Sequence, residues 1–123
     1  MTSERLIMQL VSGGVLNGLQ YKNYAVMFGN SYDAKEFYDR LEKCVDTVPS
    51  FLFPGKIKKY ARMRTIVMGN TKIFVVGASG NALRGFTLDG LFINERVYPL
   101  DQVIGQCACM VKLRGGSVTT FED

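Results

Sequence analysis

Apolar side chains recur at helical spacing through residues 34–48. Ala34, Phe37, Tyr38, Leu41, Cys44, Val45 and Val48 form one stripe, and Lys35, Asp39, Arg40, Glu42 and Lys43 fill the other face. The pattern predicts an amphipathic helix. Asp33 is its expected cap, with Glu36 three residues on as in a capping box, and Pro49 is its stop. Ile7, Leu10, Val11 and Val15 predict another helix over residues 3–19, capped by Ser3, with Gly13-Gly14 as a candidate early stop. Leu100, Val103, Ile104, Cys107 and Val111 predict a third helix after Pro99, ended by Gly115-Gly116.

Other apolar runs are too short for helices. Residues 24–29, Tyr-Ala-Val-Met-Phe-Gly, read as a buried parallel strand before Asn30-Ser31. Residues 65–68 and 72–77 flank Gly69-Asn70-Thr71 and predict a β-hairpin with a tight turn. Residues 88–93 and 117–121 predict two more strands. Residues 50–64 read as a connector and 78–87 as a loop.

This order predicts an α/β fold: a mostly parallel sheet with flanking helices and a β-hairpin, in a single domain over residues 1–123. No internal repeat breaks it. Right-handed crossovers place the strand-end loops Asn30-Ser31, Asn94-Glu95 and Thr119-Thr120 on one edge of the sheet, where ligands bind in such folds.

Composition narrows the chemistry. No apolar run approaches the roughly 18 residues of a membrane helix, and no signal-peptide core follows the N-terminus. The three cysteines, Cys44, Cys107 and Cys109, form no even framework, so a reduced cytoplasmic setting is expected. With no histidine and one lone Cys-x-Cys, no metal site is expected, and catalysis would fall to carboxylates, lysine or a bound metal. A net charge of +4 permits contact with nucleic acid without requiring it.

The densest positive stretch is Lys56-Ile57-Lys58-Lys59-Tyr60-Ala61-Arg62-Met63-Arg64, with no acid in it. Lys56, Lys58, Lys59, Arg62 and Arg64 are candidate phosphate contacts and Tyr60 a base-stacking platform; the alternative is a solvated connector. Phe51-Leu52-Phe53-Pro54 either closes the core over a helix end or forms a partner surface.

The stretch from Leu83 to Glu95 holds an arginine, an apolar strand and an acid at the strand's end. Together with its neighbours it resembles the motor core of phage terminase large subunits and of superfamily 1 and 2 helicases. The resemblance runs over residues 22–121. Residues 24–31 and the helix after them resemble the strand and loop that touch nucleic acid in such motors. Gly69 to Phe74 resembles their hairpin. Arg84 and the Asn94-Glu95 pair resemble an Arg-Gly loop and an Asp-Glu strand, and residues 116–120 resemble a coupling strand ending in Thr119-Thr120.

Two departures stand out. The family's phosphate loop is Gly-x-x-x-x-Gly-Lys-Ser/Thr. The only Gly-rich candidate here, residues 12–18, has no lysine. Asn94 stands where an aspartate would anchor Mg²⁺ through water. The resemblance therefore implies a degenerate, reduced RecA-like core. The expected protein is a phage-encoded terminase- or helicase-like one without ATP hydrolysis, binding DNA or RNA, a motor or a host protein in the host cytoplasm. Glu95 is the residual catalytic candidate, or else a solvated acid paired with Arg96 or Arg84. No cofactor is expected, and ATP with Mg²⁺ only if the chain is one piece of a split motor. A third reading is an interaction domain unrelated to motors. A missing strand would leave a bare sheet edge, favouring a homo-oligomer or strand addition by a partner.

Overall fold

The computed structural model describes residues 1–16, 21–77, 87–112 and 116–123, with the backbone alone for 108–112. Helix α1 spans Ser3–Leu16 and strand β1 Lys22–Phe28. Helix α2 covers Ser31–Thr47, and strands β2, β3 and β4 follow at Ile57–Tyr60, Thr65–Met68 and Thr71–Gly77. Strand β5 is Gly90–Asn94, helix α3 Leu100–Lys112 and strand β6 Ser117–Phe121.

All six strands join one sheet in the order β2-β3-β4-β1-β5-β6. Strands β4, β1, β5 and β6 are mutually parallel, while β2-β3 and β3-β4 are antiparallel. Burial of both faces explains why β1 and β5 are nearly continuous apolar runs. Val26 and Phe28 face the layer of α1 and α2, whereas Ala25 and Met27 join Leu91, Ile93, Val97 and Cys107 in a second core beneath α3. Leu100, Val103 and Ile104 of α3 pack on that second core, as the stripe predicts.

The α2 stripe also lies where its periodicity puts it: Ala34, Phe37, Tyr38, Leu41 and Val45 are buried. Its cap is Asn30 rather than Asp33. The Asn30 side chain accepts from the Asp33 backbone N–H at 2.8 Å and donates to the Asp33 carboxylate at 3.1 Å. The extended backbone of Asn30 suits a cap, and Asp33 sits one turn further on. Similarly, Thr2 caps α1 by accepting from the Arg5 N–H at 3.2 Å, and the expected cap Ser3 is buried inside the helix.

Helix α1 continues through Gly13-Gly14. A Cβ at Gly14 would lie 3.0–3.2 Å from three atoms of Met68, so the missing side chain lets α1 lie close against β3. The hairpin turn is Gly69-Asn70, with Gly69 at a φ of +62° that a side chain would strain.

The main correction concerns residues 50–64. Part of this segment is the edge strand β2, paired with β3 from Ile57↔Met68 to Tyr60↔Thr65. Its Lys-Lys pair hid the strand, because only Ile57 turns partly inward while Lys58, Lys59 and Tyr60 are exposed. Phe51-Leu52-Phe53 divides: Phe53 is buried in the core and Phe51 and Leu52 are exposed. Strand β5 is shifted toward its polar end and includes Asn94. Cys44 and Cys107 are free thiols, half-buried and buried. The loop containing Arg84, the Cys109 side chain and Gly115 lie outside the described residues. Among the described residues no helix is long and apolar enough to cross a membrane.

Candidate functional site

After β1 the chain turns into α2 on one face; after β5 it turns toward α3 on the other. The carboxyl ends of these two adjacent parallel strands therefore form the switch point of the sheet, where a crevice opens. Gly29 lies across it from the Arg96 carbonyl, which a Cβ at position 29 would meet at an ordinary contact distance of 3.5 Å.

A cleft of about 220 Å³ occupies this edge. Phe28 and Phe37 form its apolar floor. Their rings lie 5.1 Å apart, and Phe121 meets Phe28 edge-on at 5.4 Å. Such ring pairs add about 0.5–1.5 kcal/mol each beyond their burial, which makes the floor rigid. Asp33, Glu36 and Arg40 form the α2 wall, and Ser3, Arg96 and Asp123 the opposite one.

The second wall is held by a polar cluster around Asn94, which is 1% exposed. Asn94 donates its side-chain amide to the Asp123 carboxylate at 3.0 Å, and its amide oxygen accepts from the Arg96 backbone N–H at 3.0 Å. These two partners, an acceptor and a donor, fix the orientation of the amide. The Arg96 guanidinium pairs with Asp123 at 3.2 Å, and the Ser3 hydroxyl lies 3.4 Å from both the Asp123 carboxylate and the Glu122 carbonyl. The Glu95 N–H donates to the Phe121 carbonyl at 2.9 Å, which clips the end of β5 to β6. The result is a small cleft of mixed charge. Among the described residues no cluster of three carboxylate, cysteine or histidine ligands is placed to hold a metal ion.

The sequence-predicted residues divide among several places. Asn94 is in the cluster and Glu95 is exposed beside it. Asn30 and Ser31 share the same edge, with the Asn30 side chain committed to the α2 cap. Gly77, at the end of β4, closes on this loop: a Cβ there would lie 3.2 Å from the Ser31 nitrogen. Thr119 and Thr120 are not at the strand end. They pair with Phe92 and Ile93 inside β6, which runs on to Phe121, so Glu122 and Asp123 reach the edge instead. Thr119 is half-buried and Thr120 exposed. Arg84 lies outside the described residues.

The basic residues run along and past the far edge strand. Strand β2 points the same way as β4, so Tyr60, Arg62 and Arg64 approach the same carboxyl edge while Lys56 sits at the other end. Four strand spacings, roughly 19 Å, separate β2 from β5. Two of the six side chains have structural tasks. Lys59 pairs with Asp46 of α2, and Arg64, in a left-handed backbone conformation, donates to the Val75 carbonyl at 3.4 Å. Arg40 and Asp123 line the cleft without having been singled out as site residues by sequence, which names Ser3 only as a helix cap and Arg96 only as a partner for Glu95. The available signal was Phe121, an apolar residue that extends β6 beyond the two threonines.

No protein-family model and no curated protein matches this chain. Solved structures do. The Thermus phage P74-26 large terminase ATPase domain superposes with a TM-score of 0.78 at 12% identity, covering 98% of this chain and 54% of that one. The fold is that of a phage large-terminase ATPase domain. The HK97 bacteriophage large terminase gives a TM-score of 0.74 at 11% identity, over 98% of this chain and 26% of that one. The large terminase of a thermophilic bacteriophage, solved in complex with ADP, gives 0.64 at 15% identity, over 98% and 30%. The chain thus spans about half the length of the first of these and a smaller part of the others. At such identities the likeness is one of fold.

Proposed function

We propose that this chain is a terminase-like, phage-encoded protein that does not hydrolyse ATP and acts by binding nucleic acid or a protein partner, a motor or a host protein. The observation that carries this reading is the closed polar cluster at the end of β5. Asn94 has no charge to hold a metal through water, and both ends of its amide are committed to Asp123 and Arg96. Asp123 in turn carries the Arg96 charge. The sequence also holds no Gly-x-x-x-x-Gly-Lys-Ser/Thr, so Glu95 has no γ-phosphate presented to it by these residues.

Steady-state ATP turnover of the purified chain tests the proposal. None above background is expected. Turnover that disappears in Glu95→Gln overturns it.

The likeness in fold to a phage large-terminase ATPase domain also supports a second reading: one piece of a split motor, with the phosphate loop on another polypeptide. Under that reading ATP and Mg²⁺ would bind only in the assembled pair. Co-purification with a polypeptide carrying the missing loop, and turnover by the pair alone, would decide for it.

A further inference from the structure

Charge is unevenly placed along this chain. Residues 47–88 hold seven Lys or Arg and no Asp or Glu, so the remainder is net negative although the whole carries +4. The acid-free stretch contains β2, β3 and β4, one half of the sheet.

Alternation decides which side chains share a face there. Ile57 packs with the α1–α2 core and Lys59 pairs with Asp46 of α2, so Lys58 and Tyr60 turn to the opposite face. Ile66, Met68, Ile73 and Val75 fill the α1–α2 core, which leaves Thr65, Val67, Lys72 and Phe74 on that opposite face too. The registers align them in two rows: Lys58, Val67 and Lys72 in one, Tyr60, Thr65 and Phe74 in the next. From the strand spacing and the rise per residue, the rows run roughly 7 Å apart and the two ends of each row lie roughly 10 Å apart.

Helix α3 packs over β5 and β6, at the other half of this face. Among the described residues the β2–β4 half stays open. Lys58 and Lys72 are exposed, Tyr60 is 46% exposed, and Val67 and Phe74 are half-buried. The Lys72 ammonium stands 5.9 Å from the centre of the Phe74 ring, a cation–π contact that holds it over the rows.

We propose, resting on the nucleic-acid reading above, that this open half-face binds single-stranded nucleic acid, with a base stacked on Tyr60 and backbone phosphates on Lys58 and Lys72. The sign of the charge selects a polyanion, and seven cations with no acid between them keep the local potential positive. The exposed ring selects among polyanions. It offers a flat apolar surface to a base, and a single strand has base faces free to take it. A duplex keeps those faces stacked within itself and would leave Tyr60 unused. Lys72 sits two strands in from the basic edge, so a ligand that reaches it lies across the sheet face and not merely along β2.

Fluorescence anisotropy of a labelled, unstructured DNA strand of about twenty nucleotides, longer than one such site, tests this beside the duplex with its complement. The strand should bind at least about tenfold more tightly than the duplex at equal salt. Tyr60→Leu should weaken the strand about tenfold and leave the duplex unchanged, whereas Tyr60→Phe keeps the parent affinity. Lys72→Gln should lower the slope of log affinity against log salt by about 0.7, the share of one phosphate contact to a single strand. Both side chains are exposed, so the melting temperature should hold. In the unaltered protein the strand should shift the methyl signals of Val67, between the two lysines, and that measurement needs no variant. Strand binding that survives Tyr60→Leu and Lys72→Gln with Val67 unmoved overturns this face and leaves nucleic-acid binding standing. Duplex binding as tight as that of the strand overturns the choice of ligand. If neither binds at low salt the nucleic-acid reading fails as well, and an oligoglutamate peptide that shifts Val67 would give the face to an acidic protein.

Discussion

Asn94 and Asp123, 29 residues apart, share a hydrogen bond of 3.0 Å at the carboxyl edge of the sheet. An amide at 94 lets the cluster close on a single carboxylate. Asn94→Asp would set a second, buried carboxylate against Asp123 and delete the donor. Destabilisation of about 1–3 kcal/mol is expected at neutral pH. It should shrink as pH falls and the introduced acid takes up a proton, because like charge raises its folded pKa. The double variant Asn94→Asp with Asp123→Asn restores a donor and an acceptor and should recover most of the loss. Urea melts of the four proteins give the coupling directly. An additive double variant would mean that the two side chains do not interact.

Tyr38 offers a test on α2. Its hydroxyl is buried without a well-formed hydrogen bond, and burial, followed by the charge and close approach of the Glu42 carboxylate and then the charge of Asp39, pushes the phenol up to about 12. A raised pKa means that the unfolded chain loses this proton first as pH rises. Stability from the group is therefore whole below about pH 10 and is lost as pH climbs toward 12. Tyr38→Phe should be neutral or stabilising by up to about 1 kcal/mol near pH 7, since it removes a poorly paired hydroxyl. Its advantage should widen in alkali. Thermal melts of both proteins from roughly pH 8 to 11 check this; parallel curves would count against the buried phenol.

The basic strand carries a prediction about nucleic acid. Lys58 and Arg62 are exposed, whereas Lys59 is tied to Asp46 and Arg64 to the Val75 carbonyl. Lys58→Glu with Arg62→Glu should weaken DNA or RNA binding at least about tenfold at low salt. It should also reduce the slope of log affinity against log salt by about 2, with little change in melting temperature. If affinity and slope hold, the basic strand is only a guarded sheet edge.

Much of this arrangement is legible in the sequence, for reasons that differ by element. The α2 stripe is readable because a helix buried on one side must repeat its apolar residues. The Gly69-Asn70 turn is readable because few residues tolerate a positive φ. Strand β2 is hidden, since an edge strand with one inward residue has no alternation to show. The cleft is half hidden. Asn94 and Glu95 can be placed at a strand end, but the partnership of Asn94 with Asp123 depends on the β5-β6 register. The end of β6 at Phe121 is readable, but the resemblance points to Thr119 and Thr120 as the strand-end residues and away from Glu122 and Asp123, which follow the strand. Ser3 looks like a cap because helix starts favour serine, yet Thr2 before it takes that task.

Two glycines should respond to alanine with opposite signs. At Gly116 a Cβ would lie 2.3 Å from the Asp89 carbonyl oxygen and 2.7 Å from its carbon. That backbone cannot easily retreat: the Asp89 N–H donates to the Asn23 carbonyl at 2.7 Å, and the Asp89 carboxylate accepts from the Asn23 N–H at 2.7 Å. Gly116→Ala must therefore push the start of β6 away from the start of β5, at a cost of about 3 kcal/mol. At Gly105, inside α3, no atom of the described residues beyond its own stretch of helix lies within 4 Å of the position that an added methyl group would take. Gly105→Ala should stabilise by about 0.5–1 kcal/mol, because alanine loses less backbone freedom in a helix. Denaturant midpoints of the two variants should fall on either side of the parent. A harmless Gly116→Ala would show that β5 and β6 do not approach each other as closely at this end as the Gly116–Asp89 contact requires.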